Sequence, residues 1–265
     1  MNIYKFELGM LKKSILIWAL AIPAFFLFYV SFFPMMSGEG MDSLFDQFPE
    51  EFMSFFGINP DLPMSNILGY VALTYGMIQI PMAIQASNYG FHMLSVEERE
   101  LTADFLLTKP ISRTQIMISK FLASMTSLTI VNIAVSFSTV LGTMLFRGDQ
   151  TVNWSAVLVL LSSNVFFQLF FVSVGMFVST IAKKIPSVLS LSMGFGIGLY
   201  VLSSLGTMLE STLFMVMTPY SHFSPSYILA EGSYNWSVVW ISFAVIILSF
   251  GGSYFFYLRR NIASL

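Results

Sequence analysis

The chain has 265 residues, 56% of them hydrophobic, 16% aromatic and only 10% charged, with a mean hydropathy of +0.77. A soluble domain carries about 25% charged residues, so this composition excludes a water-facing surface of matching size and requires a bilayer. The net charge of −2 comes with no basic face of the kind that reads nucleic acid, and the absence of cysteine excludes disulfide scaffolds, thiolate metal sites and cysteine nucleophiles.

Crossing about 30 Å of hydrocarbon takes roughly 20 apolar residues in a helix. Six stretches without Asp, Glu, Lys or Arg meet that length: 14–33, 67–94, 121–146, 155–182, 185–209 and 236–258. Runs of this length are helices, since barrel strands need only about 10 alternating residues. The fold class expected is therefore all-α: one polytopic domain, 1–265, with six transmembrane helices. The first run lacks a small-residue cleavage site and reads as a retained span. With both termini inside, eleven of the twelve basic residues are cytoplasmic and only Arg147 is outside, as the positive-inside rule demands.

Before the first span, Ile3, Phe6, Met10 and Leu11 recur at helical spacing among Lys5, Glu7, Lys12 and Lys13. Residues 1–13 read either as an interfacial helix or as a plain basic flank. Residues 34–66 form an acidic outer loop in which 41–56 is amphipathic, able to lie on the outer leaflet or to cap the bundle. Its six acids lack the spacing of a calcium loop, so a solvated face is the commoner arrangement and no metal site is assigned.

Between the second and third spans, Ser95 with Glu98 makes a capping box, which predicts a short helix from Val96 that ends at Pro110. Leu101, Phe105 and Leu106 are then available to a partner. Ser112 with Gln115 is a second capping box, opening the helix that becomes span three. Membrane insertion alone requires no such construction.

Glu98, Thr102, Leu106-Leu107, Pro110-Ile111-Ser112-Arg113 and Lys120 together resemble the pattern of ABC-2-type transporter permeases. The resemblance covers nearly the whole chain, although only these twenty-odd residues are specific, and Leu101 stands where the family often has Gly. It implies that this cytoplasmic loop is a coupling helix seated on an ATP-binding subunit. The contacts would then come from Glu97, Glu98, Arg99, Glu100, Thr102, Phe105, Leu106, Lys109, Pro110 and Arg113. It also implies a connecting helix before span one, a second copy or related permease subunit, and ATP and Mg²⁺ in the partner, with no cofactor in this chain. For 206–235, too apolar for a solvated loop and too broken to span twice, the family suggests a helix dipping into the outer leaflet. A loop packed on the bundle is the other reading.

The spans themselves are nearly uniform in their lack of charge. Gln85, Asn88 and His92 share a face of span two, and Asn164 and Gln168 lie one turn apart in span four. These five either line a pathway or form hydrogen bonds between helices, the second being the commoner use. Pro81 interrupts span two, and Ser190, Gly194 and Gly198 form a small-residue stripe on span five that more often marks packing than a pore. His222 has no ligand partner at metal spacing.

No Gly-x-x-x-x-Gly-Lys-Ser/Thr phosphate loop is present, so the chain is not expected to hydrolyse ATP itself. The expected function is the permease subunit of an ATP-driven exporter in a bacterial cell membrane, moving an amphipathic or hydrophobic peptide, drug or lipid. The alternative is a self-sufficient ion-coupled carrier or channel. An intramembrane enzyme lacks its catalytic groups.

Overall fold

The computed structural model describes residues 3–38, 47–59, 61–99, 112–182 and 185–259, the side chains of 50 and 94–99 excepted. Among the described residues every regular element is a helix. In chain order they are α1 (Ile3–Val30), α2 (Phe33–Met36), α3 (Glu50–Phe55), α4 (Ile67–Arg99), α5 (Arg113–Phe146) and α6 (Trp154–Ile181). There follow α7 (Val188–Met208), α8 (Thr212–Val216), α9 (Pro219–His222), α10 (Pro225–Glu231) and α11 (Trp236–Arg259). Six of these are long and apolar enough to cross a membrane. In hydrocarbon a backbone group without a partner costs several kcal/mol, and a helix satisfies all of them within one segment.

Polar side chains close the open helix starts. Ser112 accepts a hydrogen bond from the Gln115 N–H, Asn153 from Ala156 and Ser187 from Ser190, each satisfying one of the unpaired first-turn donors. The Ser112 cap is the one the sequence predicts. Ser95 behaves otherwise: α4 runs on through it to Arg99, so Ser95 lies inside a helix and not at the start of one. The bundle holds α4 in register beyond the membrane-crossing run, and propagation of an existing helix costs less than nucleating a new one. The predicted coupling segment beyond it, 100–111, lies outside the described residues.

One further boundary differs from expectation. Residues 3–13 are the first turns of α1, with no break before the first span. The helix α5 begins at Arg113, where the Ser112 cap predicts, which puts Lys120 two turns inside a helix. Both extensions lie against each other, since α1 and α5 form one of the largest contacts in the fold.

The helices run up and down. Tyr70 of α4 donates to the carbonyl of Tyr29 near the end of α1, and Gln150 after α5 bonds both Ile67 N–H and Ser65 C=O. These contacts gather one end of α1, α4 and α5, and the opposite end is gathered around Tyr89. The centre belongs to α4, which packs on α1, α5, α6 and α7, with α11 covering the far side of α6. Lipid tails are as apolar as leucine, so small residues and interhelical hydrogen bonds hold such a bundle. Gly90 and Gly175 let α4 and α6 touch backbone to backbone: a Cβ on Gly90 would stand 2.5 Å from the Val172 carbonyl oxygen. The Gly194 and Gly198 stripe is not used this way, because nothing lies within 4 Å of a Cβ built at either. The segment after α7 folds as three short helices packed on the bundle, with Tyr220, Phe223, Ile228 and Leu229 buried.

Candidate functional site

Two polar regions stand out in this apolar bundle, one at each end. At the end away from the termini a recess of about 230 Å³ lies between α4 and α7 and the segment 215–227, with 54–57 along its edge. The chain builds it by pinning the outer segment to the spans. Gln79 of α4 donates its amide to the Phe223 carbonyl at 3.0 Å, Tyr220 donates to the Gly196 carbonyl at 3.0 Å and Thr218 to the Leu199 carbonyl at 3.1 Å. Ser203 and Ser221 share a hydrogen bond of 2.7 Å.

The lining is hydroxyl-rich and uncharged. Tyr200, Ser203, Ser204 and Thr207 present it with hydroxyls at helical spacing along α7, and Asn235 adds an amide. Burial pushes the Tyr220 phenol well above the ordinary tyrosine range, with Tyr200 adding to the shift, so it stays a neutral donor. His222, behind the wall, points elsewhere: its Nε2 lies 3.0 Å from the Val216 carbonyl and its Nδ1 2.7 Å from Ser242 Oγ. A carbonyl only accepts, so Nε2 carries the proton and Nδ1 accepts from the serine. Desolvation lowers the His222 pKa, and the imidazole is neutral.

The second region is at the end that holds the amino terminus. Lys120 of α5 is 2% exposed and its Nζ lies 3.1 Å from Glu7 Oε1 of α1. Beside them Tyr89 gathers three helices: its hydroxyl lies 3.0 Å from Ser14 Oγ, accepts from Ser127 at 2.8 Å and from Gln85 at 3.4 Å. A small cavity of about 20 Å³ touches Glu7, Tyr89, His92, Lys120 and Ser124, room for one water molecule. The sequence places Lys120 just before the charge-free run of span three; the structure sets it two turns into α5, opposite Glu7.

Three of the five polar span residues bond to residues outside the set. Gln85 bonds Tyr89 instead of Asn88 or His92, Asn164 donates to Tyr75 of α4 at 2.6 Å, and Gln168 accepts from Asn132 of α5 at 2.8 Å. Asn164 and Gln168 thus tie α6 to two different neighbours. Half of each amide is left over: Gln85 Oε1, Asn164 Oδ1 and Gln168 Nε2 are buried without a partner among the described residues. None of the five touches the outer recess. Of the predicted partner-contact residues, Arg113 opens α5, Glu97, Glu98 and Arg99 belong to the last turn of α4, and Glu100 to Pro110 lie outside the described residues. The hydroxyl stripe of α7 escaped sequence reading, although its spacing of three and four residues was visible there.

None of the curated proteins matches the chain. Residues 1–262 match the family described as ABC-2 family transporter protein. With a match over almost its whole length and six helices of membrane-crossing length, the protein is a multi-pass membrane permease of the ABC-2 transporter family.

Proposed function

We propose that this chain is the membrane-spanning subunit of an ATP-driven exporter whose ATP is hydrolysed, with Mg²⁺, by a separate subunit. The observation that carries the reading is the family match over residues 1–262, joined to a sequence with no phosphate loop of its own. Two copies, or this chain with a related permease, sit on two ATPase subunits. Both termini face the cytoplasm of a bacterial cell, and residues 96–108 transmit movement of the ATPases to α4 and α5. The cargo is amphipathic or hydrophobic. The buried Glu7–Lys120 pair speaks for the second reading, an ion-coupled carrier, because intramembrane ionisable groups often serve ion relays.

One experiment separates the two. The tagged protein is withdrawn from its native membrane in mild detergent, beside a variant with Glu98→Lys and Glu100→Lys. A stoichiometric ATP-binding subunit with the parent and its loss from the variant support the exporter. Recovery of the parent chain alone, with transport abolished by Glu7→Gln, supports the carrier.

A further inference from the structure

The outer recess is built as a binding site and no part of its polar lining is spent on an ion. None of its described lining residues is Asp, Glu, Lys, Arg or His. Its wall hydroxyls are committed to holding the segment 215–227 in place, but others are left over. Ser204 is 5% exposed, lines the recess and has no hydrogen-bond partner among the described residues. Gln79, whose amide nitrogen is used on Phe223, lines it too. The Asn235 amide and the Tyr200 and Tyr227 hydroxyls also line the recess. A ligand in the recess meets these hydrogen-bonding groups directly.

The other wall is apolar. Phe55, Phe56, Met77 and Met215 line it, and methionine and aromatic surfaces adapt to irregular chains. From Phe56 at the recess edge, Phe52 and Phe48 follow in a row with centroids 5.0 and 5.2 Å apart, all three exposed. This row continues the apolar wall outward. The volume of about 230 Å³ is below the range of about 300–1,000 Å³ that takes up whole drug-sized ligands, so the recess suits a head group.

We propose that the recess binds the uncharged, hydrogen-bonding head group of an amphiphile, its apolar tail lying along Phe55, Phe56 and the Phe48–Phe52 row. Ser204, Gln79 and Asn235 pair the hydroxyl or amide groups of the head. A charged head group is rejected, because no counter-charge lines the site among the described residues and desolvating an unpaired ion is expensive. The identification of this amphiphile as cargo rests on the transport reading above; its binding does not.

The test uses the full chain, extracted with its lipids into polymer-bounded discs without detergent. Three photoreactive probes share one dodecyl chain and carry a diazirine near the head: a glucoside, a sulfate and a trimethylammonium. The glucoside is expected to label peptides holding Met77, Met215 or Tyr227, and the two charged probes to label only lipid-facing peptides. Ser204→Leu should reduce recess labelling by about fivefold, the effect of losing one hydrogen bond and part of the space. Tyr227→Phe, which removes a single half-exposed hydroxyl and is not expected to disturb folding, should reduce it by about twofold. Equal recess labelling by all three heads, or glucoside labelling unchanged in both variants, overturns the proposal. Failure of labelling with an ATPase still recovered removes this cargo class and leaves the exporter standing. Labelling as expected with no ATPase keeps the site and removes the exporter.

Discussion

Lys120 takes its character from a residue more than a hundred positions away. Its ammonium is 2% exposed and sits 3.1 Å from a Glu7 carboxylate that keeps 19% of its surface. Removing one partner of such a pair leaves the other charge stranded at a cost of about 3–5 kcal/mol. Because Glu7 retains some solvent, Lys120→Met should cost about 3 kcal/mol, at the low end of that range. Glu7→Gln combined with Lys120→Met should recover most of this, read as the midpoint of thermal unfolding in detergent. Equal midpoints for the single and parent proteins would show the pair to be energetically idle. His222 gives a pH signature. Its folded pKa is lowered by desolvation, so the unfolded chain binds the proton more readily. Stability is then full above about pH 6.5, the ordinary histidine value. It falls as pH drops through the lowered folded value. His222→Gln should flatten the stability profile in the acid range; an unchanged slope would rule His222 out as its source. The sequence showed both residues but neither setting. Lys120 reads as an interfacial flank until Glu7 is placed opposite, and His222 reads as an outer-loop residue until Ser242 and Val216 enclose it.

At the level of elements, α4 and α6 approach so closely that glycine is required on both. A Cβ on Gly175 would lie 3.0 Å from the Gly90 Cα, and both obstacles are backbone. Gly90→Val or Gly175→Val should therefore destabilise by about 3 kcal/mol, the upper part of the overpacking range, since backbone cannot rotate away. Gly194→Ala and Gly198→Ala meet nothing within 4 Å and should leave the unfolding midpoint unchanged. A similar loss at all four positions would refute this contact assignment. From the sequence the Gly194 and Gly198 stripe looks the better packing surface, and the close contact lies at Gly90 and Gly175 instead. The helices themselves were legible, because charge-free length is a one-dimensional property. Most helix ends were legible too, since Ile67, Phe146 and Trp236 bound both charge-free runs and helices, and at Ser112 the cap is a local hydrogen bond. Ser95 has the same local signal but is overridden by a helix already propagating through it.

Across the whole molecule, orientation is set by charge outside the helices. The sequence contains no cysteine, so each introduced thiol reports one position. With a membrane-impermeant maleimide, Asp149→Cys should be labelled in intact cells, whereas Lys12→Cys and Arg259→Cys should react only after permeabilisation. Labelling of Lys12→Cys in intact cells would invert the proposed topology. The number of spans and the all-helical class follow from the sequence alone. A bilayer leaves no other way to satisfy the backbone of six charge-free runs, and that requirement is local to each run. Which helices touch, where α4 and α6 close backbone to backbone, the burial of Lys120 against Glu7 and the recess under 215–227 were decided only by the tertiary structure. Each joins residues from several elements, such as Gln79 with Phe223 and Ser203 with Ser221. In a nearly uniform apolar sequence every helix has several faces equally fit for lipid, so packing and paired polar groups, rather than hydrophobic patterning, choose among them.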